Sequence, residues 1–315
     1  MRTAIPLTML ATALACSLAA TAAQARARVF VASYGSDSNP CTFLSPCRNF
    51  QQAVNVVDPG GEVTAIDSAG FGPISINIAV TITSPDGIEA GIVPTAGGDG
   101  ITINAGVNDE VNLRGLTLVG GGVGNNGVTI TGGGLVKIEN SVIQGFLHQG
   151  INMIPSSNSK LVVLDTTVSA NFGTGVYIAP SGNVTVRGVF KRVQSINNSG
   201  KGFYLYGGAI IGAGTLKGSA IDSLAVGNHS SGFEVASFQG LATTTVFDVI
   251  NCQAIANFIG VETTSTDTAM YLARTTISDN TNFGYSVEGT IFSFGDNYVT
   301  QNPGNIGSFT PIGQQ

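Results

Sequence analysis

The stretch SANFGTGVYI, Ser169 to Ile178, sets an asparagine, three residues, a glycine and then an apolar, aromatic, apolar triplet in a row. Read alone, it suggests a site around Asn171 and Tyr177. Read along the chain, it is one copy of a repeat. Eight segments open with glycine, an apolar residue, any residue and, in all but one case, a second apolar residue: GITI from Gly100, GVTI from Gly127, GINM from Gly150, GVYI from Gly175, GFYL from Gly202, GFEV from Gly232, GVET from Gly260 and GYSV from Gly284. Successive starts lie 27, 23, 25, 27, 30, 28 and 24 residues apart. Alternation of period two marks a strand whose first and third residues after glycine point one way and whose second points the other.

A second apolar alternation follows within the units, as in LVKIENSVI, KLVVLDTTV and TAMYLARTTI. Asn171, Asn198, Asn228, Asn257 and Asn280 then stand three or four residues ahead of the next glycine, with Asn302 in the last unit. One short strand cannot bury its apolar face alone, so such units must stack and share an interior. Stacked units of two or three strands without helices make an all-β solenoid, a parallel β-helix. Right-handed winding is the default for parallel crossovers. The asparagines then form a turn ladder, whereas Tyr177 sits at an outward position where the core demands nothing.

The eight glycine-led units, the asparagine ladder and the closing SFGDNYVTQN resemble the right-handed parallel β-helix proteins of the pectin-lyase-like superfamily. VFVASYGSDSNPCTFLSPCRNFQQAV resembles the strand-plus-helix cap that opens many secreted bacterial members. The fold expected is therefore all-β, a right-handed parallel β-helix with a short N-terminal capping helix. That helix is expected to start at Ser45-Pro46, with Phe50, Ala53, Val54 and Val57 on one face and Asp58-Pro59-Gly60-Gly61 ending it. The resemblance implies architecture and leaves activity open, because the superfamily includes pectate lyases, polygalacturonases, alginate-modifying enzymes, tailspikes and adhesins. The catalytic signatures of its enzymes are missing: there is no Asp-Asp, Gly-His-Gly, Trp-x-Asp-His, Arg-x-Pro-x-x-Arg or Asp-Pro-His-Asp.

Candidate sites come from the columns that stacking creates. Two residues after each glycine the chain reads Thr102, Thr129, Asn152, Tyr177, Tyr204, Glu234, Glu262 and Ser286, with Tyr206 and Glu288 two residues further along their strands. Aromatic faces beside carboxylates suit a sugar, the rings for C–H surfaces and the carboxylates for hydroxyls or acid–base work. Glu234 and Glu262 are the candidate catalytic pair; Tyr177, Tyr204 and Tyr206 are candidate substrate contacts. A second column, Arg114, Asn140, Asp165, Arg192, Asp222, Asn251, Arg274 and Asp296, alternates in charge and reads as rung-to-rung pairing. The basic group Arg187, Lys191, Arg192 and Lys201 is a third candidate, Lys191 and Arg192 being counted as substrate-binding. His148 and His229 read as ordinary surface residues.

Composition limits the rest. With 10% of residues charged, 43 glycines, no tryptophan and a net charge of −6, the chain is too apolar for disorder and too acidic for a phosphate backbone as main partner. Residues 1–25 read as a secretory signal peptide, cleaved after Ala25 or after Ala27, with no second long apolar run to span a membrane. Residues 26–61 read as the cap, 62–310 as the β-helix and 311–315 as a tail. Cys41 and Cys47 suit a disulfide in an oxidising compartment, and Cys252 a buried thiol. No metal-ligand or cofactor motif is found. These readings combine into a secreted or periplasmic protein that binds polysaccharide or a cell-surface glycan. Cleavage, as a lyase or glycoside hydrolase, stays open. The alternative is a non-catalytic cell-surface, matrix or adhesion solenoid.

Overall fold

The computed structural model describes residues 26–238 and 244–313. The signal-peptide reading of residues 1–25 and the last two residues of the tail lie outside them. Each coil passes through three sheets in turn. The coil carrying Tyr177 runs from Val176–Ile178 in a glycine-led sheet, through Thr185–Lys191 in a long sheet, to Gln194–Ile196 in a third sheet. Among the described residues these sheets hold nine, twelve and ten strands. Every named strand pairs in parallel with the equivalent strand of the next coil, as in Val176–Ile178 on Phe203–Tyr206. The protein is a parallel β-helix.

In the glycine-led sheet, Ile101, Val128, Ile151, Val176, Phe203, Phe233, Val261 and Tyr285 are register partners in an unbroken row. The first seven are fully buried; Tyr285 is partly buried and packs on Phe309. Phe203 and Phe233 stack with centroids 4.9 Å apart. A ninth strand, Ile74–Ile76, continues the sheet beyond the eight read from the repeat. It follows Pro73 instead of a glycine, and so escaped the pattern.

The leading glycines answer to close approach. A Cβ on Gly232 would stand 2.7 Å from the Gly260 carbonyl and 2.8 Å from Asn257 Nδ2. The ladder thus fills the space that any larger residue would need. Asn228 Nδ2 donates to Asn257 Oδ1 at 2.9 Å, and the Asn228 backbone N–H donates to the same oxygen at 3.1 Å. The same pattern links Asn171 to Asn198, Asn198 to Asn228, Asn257 to Asn280 and Asn280 to Asn302. Asn171, Asn198, Asn228, Asn257 and Asn280 are all buried. Each asparagine satisfies a backbone donor that a tight turn would otherwise leave unpaired inside the protein.

The second column is the turn between the long and third sheets, and it corrects the sequence reading at both ends. Asn140, Asp165, Arg192, Asp222, Asn251 and Arg274 all have φ between 48° and 52°. The preceding coil places Gly115 (φ 72°) there, Arg114 being the last residue of its strand. At the far end Gly295 carries the positive φ, and Asp296 accepts the Arg274 N–H at 3.0 Å. Charge pairing does occur within the column. Arg192 grips Asp165 through Nε–Oδ1 (2.5 Å) and Nη2–Oδ2 (2.7 Å), and Asn251 donates to Asp222 at 2.7 Å.

At the N-terminal end, strand Arg28–Val31 pairs with Gly61–Ala65 as the first strand of the long sheet. Helix α1 (Phe50–Val56) buries Phe50, Ala53 and Val54, and Phe50 packs on Phe71 at 4.9 Å. It starts at Phe50 and not at Ser45-Pro46. Cys47 is bridged to Cys41 and its backbone bonds to Phe30 and Ala32, which holds residues 46–47 extended. Cys252 is a buried free cysteine, its thiol pushed up to about 12 by burial. No helix among the described residues is long and apolar enough to cross a membrane.

Candidate functional site

The outward column of the glycine-led sheet is held by the residues just described as inward. Tyr204 and Glu234 alternate with the stacked Phe203 and Phe233, so core packing on one side fixes the aim of the side chains on the other. Tyr177, Tyr204, Glu234, Glu262 and Ser286 are register partners on successive rungs. The Tyr177 and Tyr204 rings stack at 5.3 Å with an interplanar angle of 25°, and Tyr206 leans on Tyr204 at 5.8 Å.

This face is not a flat, solvated one. All six residues of strand Ser231–Ala236 are buried, those at outward positions included, and Glu234 is only 3% exposed. Lys201, just before the preceding glycine, reaches over the strand. Its Nζ lies 2.8 Å from Glu234 Oε1 and 3.5 Å from the centroid of the Tyr204 ring. The other oxygen, Glu234 Oε2, has no hydrogen-bond partner among the described residues. Ser231 Oγ donates to Glu262 Oε2 on the next rung.

The electrostatics follow from this burial. Desolvation pushes the Glu234 carboxyl up to about 7; Lys201 opposes the rise and the Glu262 charge adds to it. The hydroxyl of Tyr204 is also raised, first by burial and then by the Glu234 charge, and that of Tyr177 by burial. A carboxyl that changes protonation near neutrality, next to a second carboxylate on an adjacent rung, can give and take a proton in the physiological range. Adjacent rungs are roughly 4.8 Å apart, close to the ~5–5.5 Å carboxyl separation of retaining glycosidases.

The tyrosines and glutamates share the register expected from the repeat, whereas the four cations are dispersed. Arg187, Lys191, Arg192 and Lys201 do not form one cluster. Arg187 and Lys191 lie on the long-sheet strand Thr185–Lys191, Arg192 lies in the turn bound to Asp165, and only Lys201 joins the tyrosines. Reading the position before each glycine as a column of its own would have singled out Lys201. Stacking instead aligns Lys160, Arg187 and Lys217 on three neighbouring rungs of the long sheet. His148 and His229 are exposed. No three His, Cys, Asp or Glu side chains gather into a metal cage among the described residues.

No family model matches the chain, and no curated protein matches it in sequence. Solved structures match it in fold. The pectate lyase Pel9A superposes with a TM-score of 0.54 at 14% identity, over 91% of this chain and 77% of its own. A rhamnogalacturonan lyase gives 0.48 at 15% identity, over 84% of this chain and 72% of its own. The A-module of the Azotobacter vinelandii mannuronan C-5 epimerase AlgE4 gives 0.41 at 16%, over 82% and 90%. By name these neighbours act on polysaccharides. At 14% identity the likeness to the first of these shows the fold alone, a parallel β-helix.

Proposed function

We propose that this is an exported glycan-binding protein that takes a polysaccharide chain on the outer face of its glycine-led sheet, with Glu234 as the proton-carrying group. The observation that carries the reading is Glu234 itself. A carboxylate at an outward position of a solenoid has no structural reason to be buried, and burying one with an oxygen unpaired is costly. Such a group is retained where it serves a ligand. Stacked tyrosine rings beside it supply the apolar faces that pyranose C–H surfaces fit. Protonated Glu234 would protonate a leaving glycosidic oxygen; ionised, it would accept a proton from water or from the sugar. Lys201 holds it in place. Export is supported by the Cys41–Cys47 disulfide and by the leader-like composition of residues 1–25.

The test is a screen of the purified protein against neutral, basic and acidic polysaccharides. It reads binding, new reducing ends and the ultraviolet absorbance of unsaturated ends. Binding weakened about fivefold or more by Tyr204→Ala is the expected result. New ends that vanish in Glu234→Gln would make the protein an enzyme, and binding without new ends would make it a non-catalytic glycan-binding solenoid. Absence of binding to any glycan would overturn the proposal.

A further inference from the structure

Resting on the glycan-binding reading, we infer that the sugar taken at the Tyr204–Glu234 site carries no carboxylate: it is a neutral or amine-bearing sugar, not a uronate. The inference comes from where the charges lie. From residue 100 onward the chain has nine cations. Arg114, Lys137, Lys160, Arg187, Lys191 and Lys217 lie on long-sheet strands, and Arg192 and Arg274 in the turn that follows. Only Lys201 stands beside the glycine-led sheet, and Glu234 Oε1 already binds it. The same sheet carries Glu234 and Glu262 as partners, with exposed Glu288 just past the next strand. Asp267 accepts a hydrogen bond from Ser237, immediately beyond strand Ser231–Ala236.

A uronate residue placed here meets the Glu262 carboxylate, the ionised form of Glu234 and no uncommitted cation, and like charges at rung spacing in a partly dry site repel strongly. Anion binding requires the reverse arrangement. When Glu234 is ionised, its unpartnered Oε2 asks for a donor, which a hydroxyl, an amide N–H or an ammonium supplies and a second carboxylate does not. The Tyr204 ring already accommodates an ammonium in Lys201, so its stacked neighbour Tyr177 offers the same to an amino sugar.

The experiment is calorimetric titration at constant ionic strength and neutral pH with four tetrasaccharides: of glucose, N-acetylglucosamine, glucosamine and galacturonate. Only binding weakened about fivefold or more in Tyr204→Ala is assigned to this site, which sets aside any polyanion held by Lys160, Arg187 and Lys217. At least one of the first three is expected to bind ten times more tightly than galacturonate. Should it be glucosamine, added salt weakens it; the uncharged oligomers are insensitive. Glu262→Lys should raise galacturonate affinity at least tenfold, and Glu262→Gln, the milder change, about threefold. Tyr204-dependent galacturonate binding as tight as that of the best of the other three overturns the inference while leaving the glycan-binding reading intact. Absence of Tyr204-dependent binding to these four and to every polysaccharide screened overturns both.

Discussion

Glu234 is the residue whose chemistry can be checked without knowing the ligand. Its folded pKa of about 7 stands above its ordinary 4.5, with burial as the main cause. Between those values the folded protein holds a proton that the unfolded chain has released. The contribution to stability is therefore full below about pH 4.5 and is lost as pH rises through about 7, a change on the order of 3 kcal/mol. Urea melts at pH 4.5 and pH 7.5 should show wild type losing that much more than Glu234→Gln; a larger loss in the variant would contradict the burial. Tyr204→Ala opens the same site. It should weaken glycan binding by about 1 kcal/mol or more in a titration and move the pH dependence of the melts toward lower pH, since water then reaches the carboxyl. Tyr177, Tyr204, Glu234 and Glu262 were legible because two periods, the strand's two and the coil's repeat, both bear on them. Lys201 was not, because a cation before a glycine has no meaning until the next coil is laid over it.

At the scale of the coil, glycine and asparagine are two halves of one device, and the turn tolerates neither half being changed. Gly232→Ala drives a methyl into the Gly260 carbonyl and the Asn257 amide. Asn228→Ala strips the acceptor from the Asn198 backbone N–H and side-chain amide, both buried. Each should cost on the order of 2–4 kcal/mol in a denaturant melt. Asn302, the half-exposed end of the ladder, should cost under half as much, because water can replace its bonds. The strands and the ladder could be read from composition and spacing, as local rules sufficed. The left-handed turn column was read one residue early at Arg114, since a charged side chain and a glycine next to it look alike to a pattern of charges and differ only in φ. The helix start was missed for a related reason: Ser45-Pro46 is a good local signal, overruled by a disulfide and a strand pairing that are not local.

For the whole molecule, the thiols report on the fold. In the chain from residue 26 onward, a maleimide probe should label no cysteine in the native state, one after unfolding without reductant and three with it. Cys252 is buried with its thiol pushed up to about 12, and Cys41 and Cys47 are bridged. Labelling of Cys252 in native protein would place it on the surface. Coil lengths carry a larger consequence. From each glycine to its left-handed turn the chain takes between 11 and 20 residues, yet from that turn to the next glycine it takes only 9 to 12. Most of the variation falls on one side of the coil, so the rod is divisible in whole coils. Excising residues 127–149 joins Asn126 to Gly150 in phase, shortens the rod by roughly 4.8 Å and leaves every neighbour of Glu234 in place. Excising residues 127–138 sets strand against turn in all that follows. The first deletion should melt cooperatively and keep the ligand of the full-length protein, and the second should not fold. Length, and with it the extent of the outer face, is thus an inheritable count of coils, adjustable without touching the chemistry carried by any one of them.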